Sequence, residues 1–303
     1  MLTEEQLKER QSHWTATDSA RAISGEYGGL FAVVSEKLGA PPQPENEAME
    51  IGSALEGPLG QWAINKLREA GWQVLGKQVP AFSKTHPQLS ATVDVSMVNN
   101  IGESSEYACV ELKTAGFASA YTDNSDWGDV DSQDIPLYVM IQVHHQMLCT
   151  GDQFCFVAAW VHGRGRLLYR IERDEKICDA IVAVYEHVWD NYVAKKVLPP
   201  ITEDCAEQAL AFYKNQPTVA RQEVKPTKEL EDAVDMYEHC RSVRLGIEKQ
   251  EKISAAKVLR LMGNGDFCRI KPKKGVRIVK TKIKAFVSNH PERTQTTIKI
   301  DKG

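Results

Sequence analysis

The sequence predicts an α/β fold in which helices flank a mixed central β-sheet. The first observation is the order of elements along residues 1–200, which is helix, three strands, helix, two strands, helix. The second is that 42% of the 303 residues are hydrophobic, which suffices for a buried core. Residues 201–303 are predicted to be a helical extension with a basic, β-rich end, packed on the core of residues 1–200.

The N-terminal part of the core is predicted to be helical. A short polar helix is expected over residues 3–11, and a second begins at residues 15–19, where Thr and Asp can cap it. Apolar residues recur at helical spacing over residues 45–71. Gly57-Pro58 is expected to kink or restart this helix.

The sheet is predicted from Val-rich segments that are separated by turn residues. The predicted strands cover residues 73–80, 89–98, 107–114, 154–161 and 166–171. Helices are expected over residues 135–150 and 174–194. In the extension, helices are expected over residues 203–215 and 227–262, and basic and β-branched residues then alternate over 276–284, as in a strand with one cationic face.

Charge is distributed unevenly along the chain. Residues 1–200 contain 16 Lys and Arg against 27 Asp and Glu, whereas residues 201–303 contain 21 against 14. An acidic body that binds cations and a basic end that binds phosphates would suit a metal-dependent enzyme acting on a polyanion. Ordinary acidic helices with a solvated basic tail are the alternative.

Several classes of protein are disfavoured. The seven cysteines are scattered without a CxxC pair, which argues against a disulfide framework, a zinc site and an iron–sulfur cluster. The N-terminus lacks the apolar segment of a signal peptide, and no apolar run is long enough to span a bilayer. We therefore expect a cytoplasmic protein with no membrane partner.

Asp94, Glu111 and Lys113 are the most informative residues for chemistry. Residues i and i+2 of a strand share a face, so Glu111 and Lys113 project together, and Asp94 can converge on them from the preceding strand. Two carboxylates bind hard cations through oxygen, and a lysine can orient or help to deprotonate the attacking water of phosphodiester hydrolysis. A surface salt-bridge ladder is the alternative.

Two neighbouring helices offer further polar residues. Gly52 and Gly60 flank Glu56 by one turn on each side, which would let a metal ion and a DNA backbone approach its carboxylate. Gln142 and Gln146 form a polar stripe on an otherwise apolar helix, and either a substrate phosphate or a buried hydrogen bond could pair with them.

These motifs, in this order, resemble the lambda-exonuclease or YqaJ-type viral recombinase nucleases of the PD-(D/E)xK superfamily. The resemblance covers residues 10–176, and Val110-Glu111-Leu112-Lys113-Thr114 matches the Leu-Glu-x-Lys strand of the family. The other matching motifs are Gly52-x-x-x-Glu56, Asp94 and Tyr138-x-x-x-Gln142-x-x-x-Gln146. Val93 and Val95 replace the Pro and Gly that usually flank the aspartate, which suggests a different strand bend.

The resemblance implies a restriction-endonuclease-like core with two Mg²⁺ ions per site, for which Mn²⁺ can substitute. Asp94, Glu111 and the backbone carbonyl of Leu112 would hold one ion. Glu56 and Asp94 would hold the second, and Lys113 would position the nucleophilic water.

The resemblance also assigns residues to the DNA. Gln142 would orient the water or contact the terminal phosphate, with Gln146 beside it. Arg10 and Thr17, which are seven positions apart, would bind the 5′-phosphate, with Thr17 in place of the usual serine.

The implied activity is 5′→3′ digestion of one strand from the ends of duplex DNA by a toroidal homotrimer. The product is a 3′ single strand for a phage-type annealing protein in the cytoplasm of a bacterial host. An endonuclease or junction resolvase of the same superfamily is one alternative, and a non-catalytic DNA-binding or annealing module is another.

Overall fold

The computed structural model describes most of the chain. The described residues are 11–42, 46–102, 104–116, 127–130, 132–215 and 225–262, together with the backbone of 267–271, 274–283 and 293–302. The chain divides into two compact units, Met1–Pro217 and Thr218–Gly303. The predicted packing of residues 201–303 on residues 1–200 stays a prediction.

A mixed sheet forms the centre of the first unit. Its strands in the described residues are β1 Trp14–Thr15, β2 Gln73–Phe82, β3 Leu89–Ile101, β4 Ser104–Ala115, β5 Phe154–Val161 and β6 Gly165–Glu172. The order is β1-β3-β4-β5-β6, and β2 also pairs with β3. The β1–β3 and β4–β5 pairs are parallel and the other pairs are antiparallel, which confirms the predicted fold class.

Helices cover both faces of this sheet. Within the described residues, the α-helices of the first unit are α1 Ala16–Ser24, α2 Gly29–Lys37, α3 Glu47–Glu69, α4 Leu137–Thr150, α5 Glu175–Val188 and α6 Ala206–Lys214. On one face, Val143 and Met147 of α4 pack on Cys109, Cys155 and neighbouring strand residues. On the other face, residues of α3 pack on the alternate residues of the same strands. The alternation of β4 therefore sends its odd-numbered side chains towards α4.

The helix α3 does not restart at Gly57-Pro58, because one continuous helix runs from Glu47 to Glu69 with Pro58 inside it. Asn46 caps its first turn by accepting a hydrogen bond from the Met49 N–H. Ala63, Ile64 and Leu67 are buried against the sheet. This packing offsets the backbone hydrogen bond that the proline removes.

Two N-terminal elements were not predicted, namely the two-residue strand β1 and the helix α2. The second predicted helix is α1, and Thr15 caps it in a reciprocal capping box with Asp18. Most of the helix predicted over residues 3–11, including Arg10, lies outside the described residues.

The second unit contains a long helix and a small sheet. The helix α7 Lys228–Met262 precedes the strands β7 Phe267–Lys271, β8 Lys274–Ile283 and β9 Arg293–Lys302. The three strands form an antiparallel sheet in the order β7-β8-β9. Across the described residues, no helix has the length and apolar character that crossing a membrane requires.

Candidate active site

The predicted meeting of Asp94 with the β4 residues occurs where two strands separate. The regular β3–β4 ladder ends at the pair Val95 and Val110. Beyond that pair, the carboxylate of Asp94 accepts a hydrogen bond from the Leu112 N–H at 2.8 Å. A side chain therefore replaces the missing ladder partner, and it fixes Asp94 beside the stretch that carries Glu111.

Val93 and Val95 lie on either side of Asp94 in β3 and are buried in different clusters. Val93 packs in the cluster beneath α4, whereas Val95 packs in the cluster beneath α3 on the opposite face. The pairing of β2 with β3 keeps one register from Gly76 to Phe82, which includes the partners on both sides of Asp94. The different strand bend that the sequence suggested from Val93 and Val95 stays a prediction.

Glu111 is the centre of a buried polar cluster and is 3% exposed. Its Oε1 lies 2.6 Å from Lys113 Nζ and accepts a hydrogen bond from Gln142 Nε2 at 2.7 Å. Its Oε2 accepts from Gln146 Nε2 at 2.5 Å. Lys113 Nζ also donates to Gln142 Oε1 at 2.8 Å, so the carboxylate, the amide and the ammonium form a closed triangle.

Gln146 departs from the expected contact with DNA. Its side chain is fully buried, and it supports Glu111 from behind. Its Oε1 is buried without a hydrogen-bond partner among the described residues. The polar stripe of α4 thus faces a carboxylate inside the protein, and Gln146 has no access to a phosphate in this arrangement.

Gln78 is a site residue that the sequence analysis missed. Its Nε2 donates to Glu56 Oε1 at 2.9 Å and to Asp94 Oδ1 at 3.1 Å, so one amide connects carboxylates from a helix and a strand. Its φ is +51°, in the left-handed region that a non-glycine residue seldom adopts. Gly76, beside the register shift in β2, is the one signal that could have indicated an irregular strand here.

The glycines around Glu56 serve helix packing. A Cβ at Gly60 would lie 3.0 Å from Leu112 Cδ1, and one at Gly52 would lie 3.3 Å from Thr114 Oγ1. The small residues therefore let α3 approach β4 closely. The expected clearance for DNA is occupied by the strand, and the cleft left beside Glu56, with a volume of about 200 Å³, is lined by Gly52, Leu112 and Lys113 among others.

Burial and neighbouring charges shift the pKa values of Asp94 on β3 and Lys113 on β4. Burial, and then the negative charge of Glu111, raise the pKa of Asp94 to about 7. Burial lowers the pKa of Lys113, but the charge and hydrogen bond of Glu111, together with the charges of Tyr138 and Asp94, outweigh it and the net shift is upward. Lys113 is therefore a persistent cation that can orient water or a phosphate, whereas removing a proton from water requires another group.

The donor set around Asp94 fits a divalent cation. Two neighbouring carboxylates raise the pKa of Asp94, and a cation beside it would relieve this repulsion. Glu56 and Asp94 both reach a single amide nitrogen, so both can reach one ion. Within the described ranges, however, no three His, Cys, Asp or Glu side chains are grouped as metal ligands. The oxygens of Glu111 face the amides and Lys113, so binding a metal there would require Glu111 to exchange some of these partners.

The other predicted residues lie around this cluster. Thr17 is half-buried in the first turn of α1, while Arg10 lies outside the described residues. The ring of Tyr138 lies 5.5 Å from Lys113 Nζ. His144 and His145 contact separate partners, Met140 and Ser90 among them, as expected for neighbours about 100° apart on a helix.

Comparisons with known proteins place part of this chain in a family. Residues 5–153 match the model of the YqaJ-like viral recombinase domain. The chain resembles the crystal structure of an alkaline exonuclease from Laribacter hongkongensis at 18% identity, over 69% of this chain and 100% of that one, with a TM-score of 0.46. The complex of that exonuclease with dAMP gives 19% identity over the same shares, also with a TM-score of 0.46. No curated protein matches the chain. The chain thus contains a YqaJ-like viral recombinase domain, which spans residues 5–153.

Proposed function

We propose that this protein is a Mg²⁺-dependent exodeoxyribonuclease that digests one strand of linear duplex DNA in the 5′→3′ direction. The observation that carries the proposal is the triangle of Glu111, Lys113 and Gln142, with contacts of 2.6 to 2.8 Å, directly beside Asp94. A surface salt-bridge ladder would not need a buried carboxylate with three donors. The position of this triangle in a YqaJ-like domain supports the same activity.

The carboxylates would hold the metal ions. Asp94, Glu111 and the Leu112 carbonyl are proposed for one Mg²⁺, and Glu56 with Asp94 for a second. Mn²⁺ would substitute because it prefers similar oxygen ligands. When bound, the ions would supply an activated water and neutralise charge on the phosphate.

The remaining residues would orient the reactants. The ammonium of Lys113, held by Glu111 and Gln142, would direct the attacking water or the scissile phosphate through hydrogen bonds. Gln142 is 8% exposed, so its role is to hold Lys113 in place and to reach the terminal phosphate at most from one edge. Thr17 and Arg10 are proposed for the 5′-phosphate.

The proposed setting is recombination by strand annealing. The 3′ single strand would pass to an annealing protein encoded by the same phage or prophage, in the cytoplasm of the bacterial host. The sequence contains no motif of a nucleotide-driven motor. Processive digestion would therefore come from enclosure of the DNA in a homotrimeric ring.

One substrate set tests the activity. Linear duplexes labelled at either end, with and without a 5′-phosphate, are incubated with Mg²⁺ or with chelator beside a closed circular duplex. The proposal predicts mononucleotides from the 5′ ends and an intact circle. Nicking of the circle would instead identify an endonuclease, and strand annealing with no Mg²⁺-dependent loss of DNA would identify a non-catalytic module.

A further inference from the structure

Tyr27 is an exposed aromatic residue in a strained turn. It lies in the 3₁₀ helix Glu26–Gly28 with φ of 50° and ψ of 40°, and its side chain is 60% exposed. The glycines Gly25, Gly28 and Gly29 around it also have positive φ. A bulky side chain in the left-handed region raises the energy of the folded state, and such residues concentrate at functional sites.

An ion pair between a buried arginine and a half-buried glutamate holds this turn in place. Arg21 Nη2 donates to the carbonyl oxygen of Tyr27 at 3.1 Å. The same guanidinium binds both carboxylate oxygens of Glu36 at 2.9 Å, in the fixed geometry of a bidentate pair. Arg21 is only 9% exposed, so the clamp lies inside the protein while the tyrosine ring lies outside.

The ring of Tyr27 stands at the edge of the candidate active site. It meets the ring of Tyr138 edge to face, with centroids 5.3 Å apart. Tyr138 in turn lies 5.5 Å from the ammonium of Lys113. Tyr27 is therefore separated by a single side chain from the group that we place at the scissile phosphate.

We propose that Tyr27 is a stacking surface for the nucleobase next to the scissile phosphate, with Tyr138 as its support. This inference rests on the proposed action on DNA. Every base has a flat apolar face, so stacking on an aromatic ring holds a nucleotide without regard to sequence. Such a contact suits an enzyme that must accept each base in turn as a strand shortens.

The test uses a duplex with 2-aminopurine at its 5′ end, bound to the full chain in chelator so that the DNA stays intact. Stacking on tyrosine is expected to quench the fluorescence in the wild type and in Tyr27→Phe. Quenching is expected to be lost in Tyr27→Ala, and KM for DNA ends in Mg²⁺ to rise about tenfold or more with a smaller change in kcat.

Two controls separate stacking from a structural role. Tyr27→Gly removes the ring but accepts the left-handed backbone, so it should lose the quenching while keeping the melting temperature. Tyr107 is 54% exposed on β4, about 13 Å along the strand from Glu111, and Tyr107→Ala should leave both readouts unchanged.

The outcomes distinguish failure of the stacking site from failure of the proposed nuclease function. Wild-type quenching and KM in Tyr27→Ala or Tyr27→Gly, in a preparation that still hydrolyses DNA, would overturn the stacking site alone. Failure of the wild type to bind DNA ends would overturn the proposed function and the stacking site together.

Discussion

Replacing Asp94 with asparagine should stabilise the metal-free protein, because Asp94 is a buried carboxylate beside Glu111. Its pKa of about 7 exceeds the ordinary value of 3.8, so the folded state binds a proton that the unfolded chain releases. Folded-state stability from this group is present at low pH and is lost as pH rises towards 7.

The expected change in the free energy of unfolding follows from the pKa shift of Asp94. About 1.4 kcal/mol per pKa unit over about three units gives a cost of about 4 kcal/mol at about pH 8. Asparagine can still accept from the Leu112 N–H, but its NH₂ group cannot accept from Gln78, which costs about 1 kcal/mol. The net gain from Asp94→Asn is therefore about 3 kcal/mol at about pH 8, and it should fall by about 2 kcal/mol at about pH 5.5.

Urea unfolding of both proteins in chelator at the two pH values measures this gain. Groups that titrate equally in both proteins cancel in the difference. Adding Mg²⁺ should stabilise the wild type but not Asp94→Asn, since the variant lacks the proposed ligand. A variant that is less stable than the wild type at about pH 8 in chelator would show that burial and the acidic neighbours do not disfavour the ionised form of Asp94.

Three further results are expected. Gln78→Gly should gain up to about 1 kcal/mol of stability in urea unfolding, because glycine accepts the positive φ of this position. The same variant should bind Mn²⁺ more weakly in calorimetry. A loss of stability with unchanged Mn²⁺ binding would contradict this expectation. Gln142→Leu should cost about 2 kcal/mol more than Gln146→Leu, because both amide ends of Gln142 are bonded whereas Gln146 Oε1 has no partner in the described part of the chain. Equal losses in urea unfolding would count against this network. Burial lowers the pKa of His145 to about 4, below the ordinary value of 6.5. The stability that this group contributes is therefore present above pH 6.5 and is lost as pH falls towards 4. NMR should find the imidazole ring neutral at about pH 5.5, and titration of the ring near pH 6.5 would show that the site is hydrated.

Strand periodicity was the reliable guide to the site. A period of two placed Glu111 and Lys113 on one face of β4, and the neighbouring strand brought Asp94 beside them, as the sequence predicted. This worked because a half-buried strand has a single register that buries its apolar residues.

Features that depend on tertiary contacts could not be predicted from the periodicity of the sequence. Gln78 and Tyr27 both have left-handed backbones, and side-chain contacts from distant parts of the chain accompany both, namely with Glu56 and Asp94 in one case and with Arg21 in the other. The pattern of α4 showed a polar stripe but not that Gln146 turns inward to Glu111. The helix α2 was missed because its apolar residues, including Phe31, Val33 and Val34, are buried without a regular polar alternation.

Lys113, fixed by Glu111 and Gln142, is proposed to take part in hydrolysing a phosphodiester bond. Single-turnover cleavage of a 5′-labelled linear duplex in Mg²⁺ by the wild type and by Lys113→Ala tests it most directly, with DNA-end binding measured in chelator. We expect release of 5′ mononucleotides by the wild type, and at least a hundredfold slower release by the variant at similar binding, which is about 3 kcal/mol of transition-state stabilisation. Equal cleavage rates for the two proteins would contradict it.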